Sequence, residues 1–414
     1  MAHEPASGSI LKQPIAVWAI AFACVVSFMG IGLVDPILPA IATATKATNT
    51  QTELLFTTYL LITGAAMFFT SWLSSRIGAK RTLLIGLGVI VVFAALAGAS
   101  GNVWQIIGFR AGWGLGNALF ISTALASIVG AAAGGAANAI VLYESALGLG
   151  LAVGPLVGGL LGSISWRGPF FGTAALMAIG FIAIVTMLRG PQVKPTPTPL
   201  SAPFRGLARP GLLVMAITAL FYNMGFFVLL AWTPFALQKL GIGDALSLGY
   251  IFFGWGVALA ITSVFGAPLL TRFLRRTTVL LIVIPLLAIT ELLAGILHGS
   301  AVGLIVLVII GGLFLGVLNT VLTECSMEAT DLPRPVASSA YSGVRFIGGA
   351  VAPPLASWLA GALGTAAAPF YFGFAVLVVS TLVVAFGRSA LTRADGEEEH
   401  RLEVAEAIAV GDAD

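Results

Sequence analysis

The stretch VGLIVLVIIGGLFLGVLNTVLT (Val302–Thr323) runs for 22 residues without a charged side chain. A bilayer core is crossed by a helix of about 20 apolar residues, whereas a membrane barrel strand needs only about ten, alternating in polarity. The run is too long and too continuously apolar for a strand. Lipid offers no partner to backbone N–H and C=O groups, so it reads as a closed, membrane-spanning helix. Eleven other stretches read the same way. The twelve spans fall near 15–39, 52–74, 82–100, 104–126, 137–162, 168–189, 210–238, 246–270, 278–298, 302–325, 336–362 and 367–387.

Composition supports the reading. Of 414 residues, 58% are hydrophobic and 9% charged, against about 45–50% and 25% in soluble domains. An ordinary cytosolic enzyme, a nucleic-acid binder and a secreted disulfide scaffold are all excluded. Cys24 and Cys325 both sit inside apolar stretches and form no disulfide framework. The first run is not a cleavable signal peptide: Glu4 and Lys12 precede it, and Asp35-Pro36 follows its apolar part.

Loop charges set the orientation. With the N-terminus inside, the inner side holds Lys12, Arg76, Lys80, Arg81, Arg189, Lys194, Arg205, Arg209, Arg272, Arg275, Arg276, Arg334, Arg388, Arg393 and Arg401. The outer side holds Lys46, Arg167 and Lys239. Fifteen basic residues against three place both termini in the cytoplasm and favour an even number of spans.

The expected organisation is a six-helix bundle over 1–189, a cytoplasmic linker over 190–209, a second six-helix bundle over 210–387 and an acidic tail over 388–414. The linker is broken by Pro191, Pro195, Pro197, Pro199 and Pro203. The tail, with Asp395, Glu397, Glu398 and Glu399, reads as a solvated end or a regulatory segment. The halves echo each other. Leu73, Arg76 and Lys80 in one loop correspond to Leu269, Arg272 and Arg276 in another, at a constant offset of 196. Parallel six-helix repeats with a substrate site between them describe one large transporter class.

Three motifs make the chain resemble the major facilitator superfamily, within it the twelve-helix drug:proton antiporters. The loop 71–81 is similar to the family's Gly-x-Leu-x-Asp-Arg-x-Gly-Arg-Lys pattern. Leu73, Arg76, Gly78 and Lys80 match, followed by Arg81, while Ser71 and Ser75 replace the Gly and the Asp. In the family this loop latches neighbouring helices; a loop that only enforces topology is the other reading. Span four carries Arg110-x-x-Trp113-Gly114-x-Gly116, similar to an Arg-x-x-Gln-Gly-x-Gly motif. Span five carries Gly150, Gly154, Pro155, Gly158 and Gly159, which match the antiporter motif at each fixed position. Glycines four apart allow close helix approach, and the proline permits a kink. Gly32–Pro39 and Trp166-Arg167-Gly168-Pro169-Phe170 add smaller matches. The stretches Arg110–Phe120 and Tyr143–Gly148 look like a bacterial multidrug-efflux branch that is also similar to siderophore exporters.

The resemblance implies an all-α integral membrane protein, with twelve transmembrane helices in two six-helix pseudo-symmetric bundles. It implies alternating access, no enzyme activity and no cofactor beyond the proton gradient. The expected partners are protons, a small-molecule substrate and the lipid bilayer, with no nucleic acid and no bound metal. A monomer in a bacterial inner membrane is expected. Drug export is the first reading. Export of a dedicated metabolite or siderophore is the alternative, with a membrane sensor or lipid scramblase behind it.

Ionisable residues in lipid are costly and mark functional sites. Desolvation favours a neutral carboxyl and a nearby cation favours the carboxylate, so a group alternating between the two can carry a proton. Asp35 and Arg110, near the outer ends of spans one and four, are expected to pair. The other readings are an outer-end cap for Asp35 and snorkelling for Arg110. Glu144, beside Tyr143 and Asn138, is the second proton-coupling candidate; pairing with a cytoplasmic-side residue is its alternative. Glu291 reads as peripheral. Glu324, Glu328, Asp331 and Arg334 read as a cytoplasmic-end cluster. Arg345 either pairs with Glu324 or meets an anionic substrate. Candidate cargo contacts are Asn117, Tyr143, Tyr222, Asn223, Phe226, Phe227, Trp232, Asn319 and Arg345.

Overall fold

The computed structural model describes residues 13–131, 135–188, 197–332 and 334–392. The side chains of Glu144 and Arg334, the linker from 189 to 196 and the acidic tail from 393 lie outside the described set. Among the described residues there are twelve long helices and no strand. They are α1 (Ile15–Gly32), α2 (Asn49–Ile77), α3 (Ala79–Ala99), α4 (Val103–Ala131), α5 (Gly135–Ile164) and α6 (Gly168–Met187). The second set comprises α7 (Pro210–Lys239), α8 (Ala245–Ile261), α9 (Arg276–Ile296), α10 (Ala301–Glu328), α11 (Arg334–Leu363) and α12 (Ala368–Gly387). Eleven of these segments are long and apolar enough to cross a membrane. The remaining long helix, α4, has 29 residues and carries Arg110 and Asn117.

Local chemistry explains the boundaries. Thr48 and Gln51 form a reciprocal capping box that starts α2. Gly78, at φ +90, joins α2 to α3 in a turn that a side chain would strain. Asp244 caps α8 by accepting from the Ser247 N–H at 2.8 Å. The first span differs from the continuous 15–39 segment expected. α1 stops at Gly32, a 3-10 turn spans Asp35–Ile37, and a short helix resumes over Leu38–Thr45. Pro36 lacks an N–H and disfavours helical geometry at Asp35, which is why the break falls there. α8 continues through a π-helical turn at Thr262–Gly266 into Ala267–Phe273.

Packing repeats with a period of six helices. α1 lies on α5 and α6 as α7 lies on α11 and α12; α4 packs on α2 and α3 as α10 packs on α8 and α9. The two sets meet along two symmetry-related seams, α2 with α11 and α5 with α8. Both seams run from the end bearing Asp35 to about the middle of the bundle. On one, the Thr57 hydroxyl donates to the Ala350 carbonyl at 2.7 Å, and Gly64 abuts Gly343 and Ile347. On the other, Gly159 abuts Ala245 and Gly249, Gly256 abuts Ala152 and Gly148 faces Ala260.

Candidate functional site

The motif glycines of α5 form one face. A Cβ on Gly150 would lie 2.5 Å from the Val25 carbonyl oxygen, and one on Gly154 2.7 Å from that of Met29. One on Gly158 would meet the Leu33 carbonyl closer still. The three glycines thus sit on three carbonyls spaced four residues apart along α1, a contact no larger residue allows. Gly159, one position round the helix, faces α8 of the other set. The motif helix therefore touches α1 on one face and the opposite half on the next.

Asp35 lies where that seam ends. It is fully buried, and neither carboxylate oxygen has a hydrogen-bond partner. Gly32 separates it from the motif: a Cβ there would sit 3.2 Å from the Pro155 ring and 3.5 Å from Asp35 Oδ2. The carboxyl, the proline of the motif and the break in α1 converge on one glycine.

Arg110, two turns into α4, is also fully buried, so it does not snorkel. Its guanidinium lies 4.1 Å from the Tyr59 ring centroid and 4.6 Å from that of Trp113. Nε and Nη1 donate weakly, at 3.5 Å each, to the Leu55 and Gly30 carbonyls. The direct Asp35–Arg110 pair expected from sequence is not formed. The two charges interact electrostatically but lie more than 4 Å apart, because two aromatic faces claim the guanidinium. Trp113, where the family pattern has Gln, is one of those faces.

A polar layer crosses both halves. In the first, Ser27 of α1 donates to Asn117 Oδ1 of α4 at 2.5 Å, and Asn117 Nδ2 is buried without a partner. In the second, Asn223 of α7 stands 196 positions after Ser27, the offset that relates the basic loops. Here Arg345 of α11 is inserted between the amides. Its Nη2 donates to Asn319 Oδ1 at 2.5 Å and its Nε to Asn223 Oδ1 at 3.4 Å. Asn223 Nδ2 donates back to the Arg345 carbonyl at 2.8 Å. Arg345 does not pair with Glu324, contrary to one sequence expectation. Glu324 is taken by Arg276 at 3.3 Å, which also binds Glu328.

The aromatic candidates divide. Tyr222 and Phe226 meet at a tilt, Phe226 packs on Phe227 and Trp255, and Phe227 meets Phe56 across the two halves. Tyr143 packs edge-on to Phe28. Trp232 stands apart, its N–H donating to the Ala366 carbonyl at 3.0 Å, so it anchors a wall. In the 71–81 loop, Arg76 stacks on Trp72, and the Lys80 ammonium donates to the Leu188 carbonyl at 2.5 Å. Ser75, in the family's Asp position, accepts from the Thr198 N–H of the linker at 3.1 Å.

Two buried acids escaped the sequence reading of the site. Glu53 is fully buried on α2 at the seam with α11, with Ser357 of α11 as its polar neighbour. It is the second residue of the expected span 52–74, and nothing in its spacing marks it as buried. Glu291, read as peripheral, is fully buried against Gly373 of α12. Its sequence signal was its place in the middle of a span.

The fold and these buried charges define a multi-pass membrane transporter with a pseudo-twofold internal plan. The chain belongs to the Major Facilitator Superfamily, whose family model matches residues 20–259 and 243–407. It is 52% identical over 388 residues to the multidrug efflux protein YfmO of Bacillus subtilis (strain 168), covering 92% of this chain and 95% of that one. It is 30% identical over 181 residues to the class B tetracycline resistance protein of Escherichia coli, covering 39% and 41% of the two chains. Among solved structures, it is similar to a bacterial homologue of the human lysosomal transporter Spinster, in an inward-facing, unoccupied conformation. The TM-score is 0.67 at 16% identity, over 92% of this chain and 96% of that one.

Proposed function

We propose that this protein is a proton-coupled exporter of small hydrophobic organic compounds, working by alternating access between its two six-helix sets. The observation that carries the reading is the buried, partnerless Asp35 carboxyl packed against the Gly32–Pro155 contact. A carboxyl sealed from water keeps its proton, and one returned to water beside a cation releases it. Parting of the α5–α8 and α2–α11 seams would wet Asp35, and their closure would dry it. Arg110, fixed between two rings, supplies a stationary positive charge against which Asp35 titrates. Glu144 of α5, on the other side of the motif, is the second proton site of the proposal. The antiporter glycines let α5 slide on α1 as the seams exchange.

The drug-efflux names of several relatives support the cargo class. The loop-charge bias supports a bacterial inner-membrane location with both termini in the cytoplasm. The six-helix packing period supports the division into two six-helix bundles, and a monomer is part of the proposal. The membrane potential adds about 2.3 kcal/mol per charge per 100 mV, so no nucleotide or other cofactor is needed. Efflux of a dye from membrane vesicles under an imposed pH difference tests the reading. Asp35→Asn and Glu144→Gln are each expected to lower pH-driven efflux at least tenfold. Unchanged coupling in both dismisses these proton sites.

A further inference from the structure

Each half-molecule holds a guanidinium within a span, and the two are treated differently. Arg110 is fully enclosed, covered on both faces by rings and within electrostatic reach of Asp35. Arg345 is half-buried, and its ring neighbour, Phe346, is 6.0 Å away. Among the described residues no carboxylate lies within 4 Å of it. Of the acids of its own half, Glu324 and Glu328 bind Arg276, Asp244 caps α8 and Glu291 faces α12.

Arg345 cannot find its counter-charge in water at the helix end. It is the twelfth residue of α11, which has 30, and a rise of 1.5 Å per residue puts it about 17 Å from the start. The side chain is too short to snorkel over that distance. Amide oxygens orient a guanidinium but do not neutralise it, and an uncompensated charge at this depth is costly. A buried group beside it lacks a hydrogen-bond partner. The Tyr341 hydroxyl has no hydrogen-bond acceptor or donor, and Arg345 and Thr323 are its polar neighbours. A cation without a counter-ion, beside a hydroxyl without a hydrogen-bond partner, calls for an oxyanion.

We propose that Arg345, cradled by Asn223 and Asn319 and flanked by Tyr341, is the subsite for the anionic head, of carboxylate type, of an otherwise hydrophobic cargo. The inference rests on the exporter reading and narrows its cargo to amphiphilic organic anions. The neighbouring rings of Tyr222, Phe226 and Phe227 supply the apolar wall for the cargo's body. Guanidinium binds such groups through paired N–H donors, and the amides of Asn223 and Asn319 hold its plane in place.

The test is binding to the purified full-length protein, measured by titration calorimetry with 2-naphthoate and 2-naphthamide, which share shape and differ in charge. The native protein should bind the carboxylate at least tenfold more tightly than the amide. Arg345→Gln should erase that preference, and Arg345→Lys should retain part of it. Should Arg345→Gln fail to fold, Asn319→Asp serves instead: it gives the guanidinium an internal counter-ion and should abolish the preference while the melting temperature holds. The naphthoate affinity should change less than twofold between a low-salt, sucrose-balanced buffer and the same buffer with added sodium chloride. Equal affinity for the two probes, including no binding of either, or a preference that survives Arg345→Gln or Asn319→Asp, overturns the proposal. So does a tenfold weakening by chloride, which would mark an inorganic-anion site. A native protein that binds naphthoate selectively but exports nothing contradicts the exporter reading and leaves the subsite standing.

Discussion

At the scale of single residues, the cost of burying charge decides what each side chain does. Arg110 is held by ring faces more than by hydrogen bonds, both of which are long at 3.5 Å. Stacking of this kind is worth about 2 kcal/mol when desolvated, and a planar guanidinium can lie against both rings where a lysine ammonium, still attracted to them, loses the flat contact. Arg110→Lys is therefore expected to lower unfolding stability by about 2 kcal/mol, measured by thermal unfolding in detergent; an unchanged midpoint would show that the rings contribute little. Outside the membrane spans, the Asp244 carboxyl is held below the usual carboxylate range by hydrogen bonds from Ser247. A carboxyl depressed on folding adds stability above its unfolded pKa and loses it as pH falls through the folded value. Asp244→Ala should cost about 1 kcal/mol at neutral pH, with the difference from native shrinking in acid titrations. The sequence made Asp35 and Arg110 visible, because a charge in an apolar run stands out. It could not show Tyr59 as the partner of Arg110, since cation–π contacts leave no spacing signature across 51 positions.

At the scale of elements, α5 is defined by what its glycines touch. Gly154 and Gly158 sit on α1 carbonyls, so an added methyl must push two backbones apart. Overpacking of this kind costs about 1–3 kcal/mol. Gly158→Ala should destabilise the protein by that amount and slow transport. Gly108→Ala, on α4 with nothing within 4 Å of its Cβ position, is the control and should leave both unchanged. Comparable losses in the two variants would remove the special status of the motif. The glycine pattern was legible because its spacing matches one helix face. The break in α1 was half-legible: Asp35-Pro36 was evident as a pair, but an apolar flank on both sides disguised the end of the helix. The start of α2 was missed by three residues, because the Thr48–Gln51 capping box lies in a polar segment that hydropathy discards. Glu53 falls inside the expected span in any case; what buries it is the α2–α11 seam, which hydropathy does not show.

At the scale of the molecule, two six-helix sets repeat the same packing and meet along two related seams. Span number and the repeat were legible, because the bilayer fixes helix length and the basic loops preserve the offset of 196. The seams were not, because they join residues such as Thr57 and Ala350, 293 positions apart, through small and apolar side chains. Alternating access requires these seams to part. Cysteines introduced by Gly148→Cys and Ala260→Cys, whose Cβ positions lie 3.5 Å apart where α5 and α8 meet, within disulfide reach, should stop dye efflux when oxidised and restore it when reduced. Full activity of the cross-linked protein would mean that the α5–α8 seam does not open. The most direct measurement of the whole account is proton movement in sealed proteoliposomes carrying a pH-sensitive dye inside. Adding a cargo that the protein binds should trigger proton flux in the native protein and none in Asp35→Asn. Bound cargo that moves no protons in the native protein, or equal flux in the variant, would contradict it.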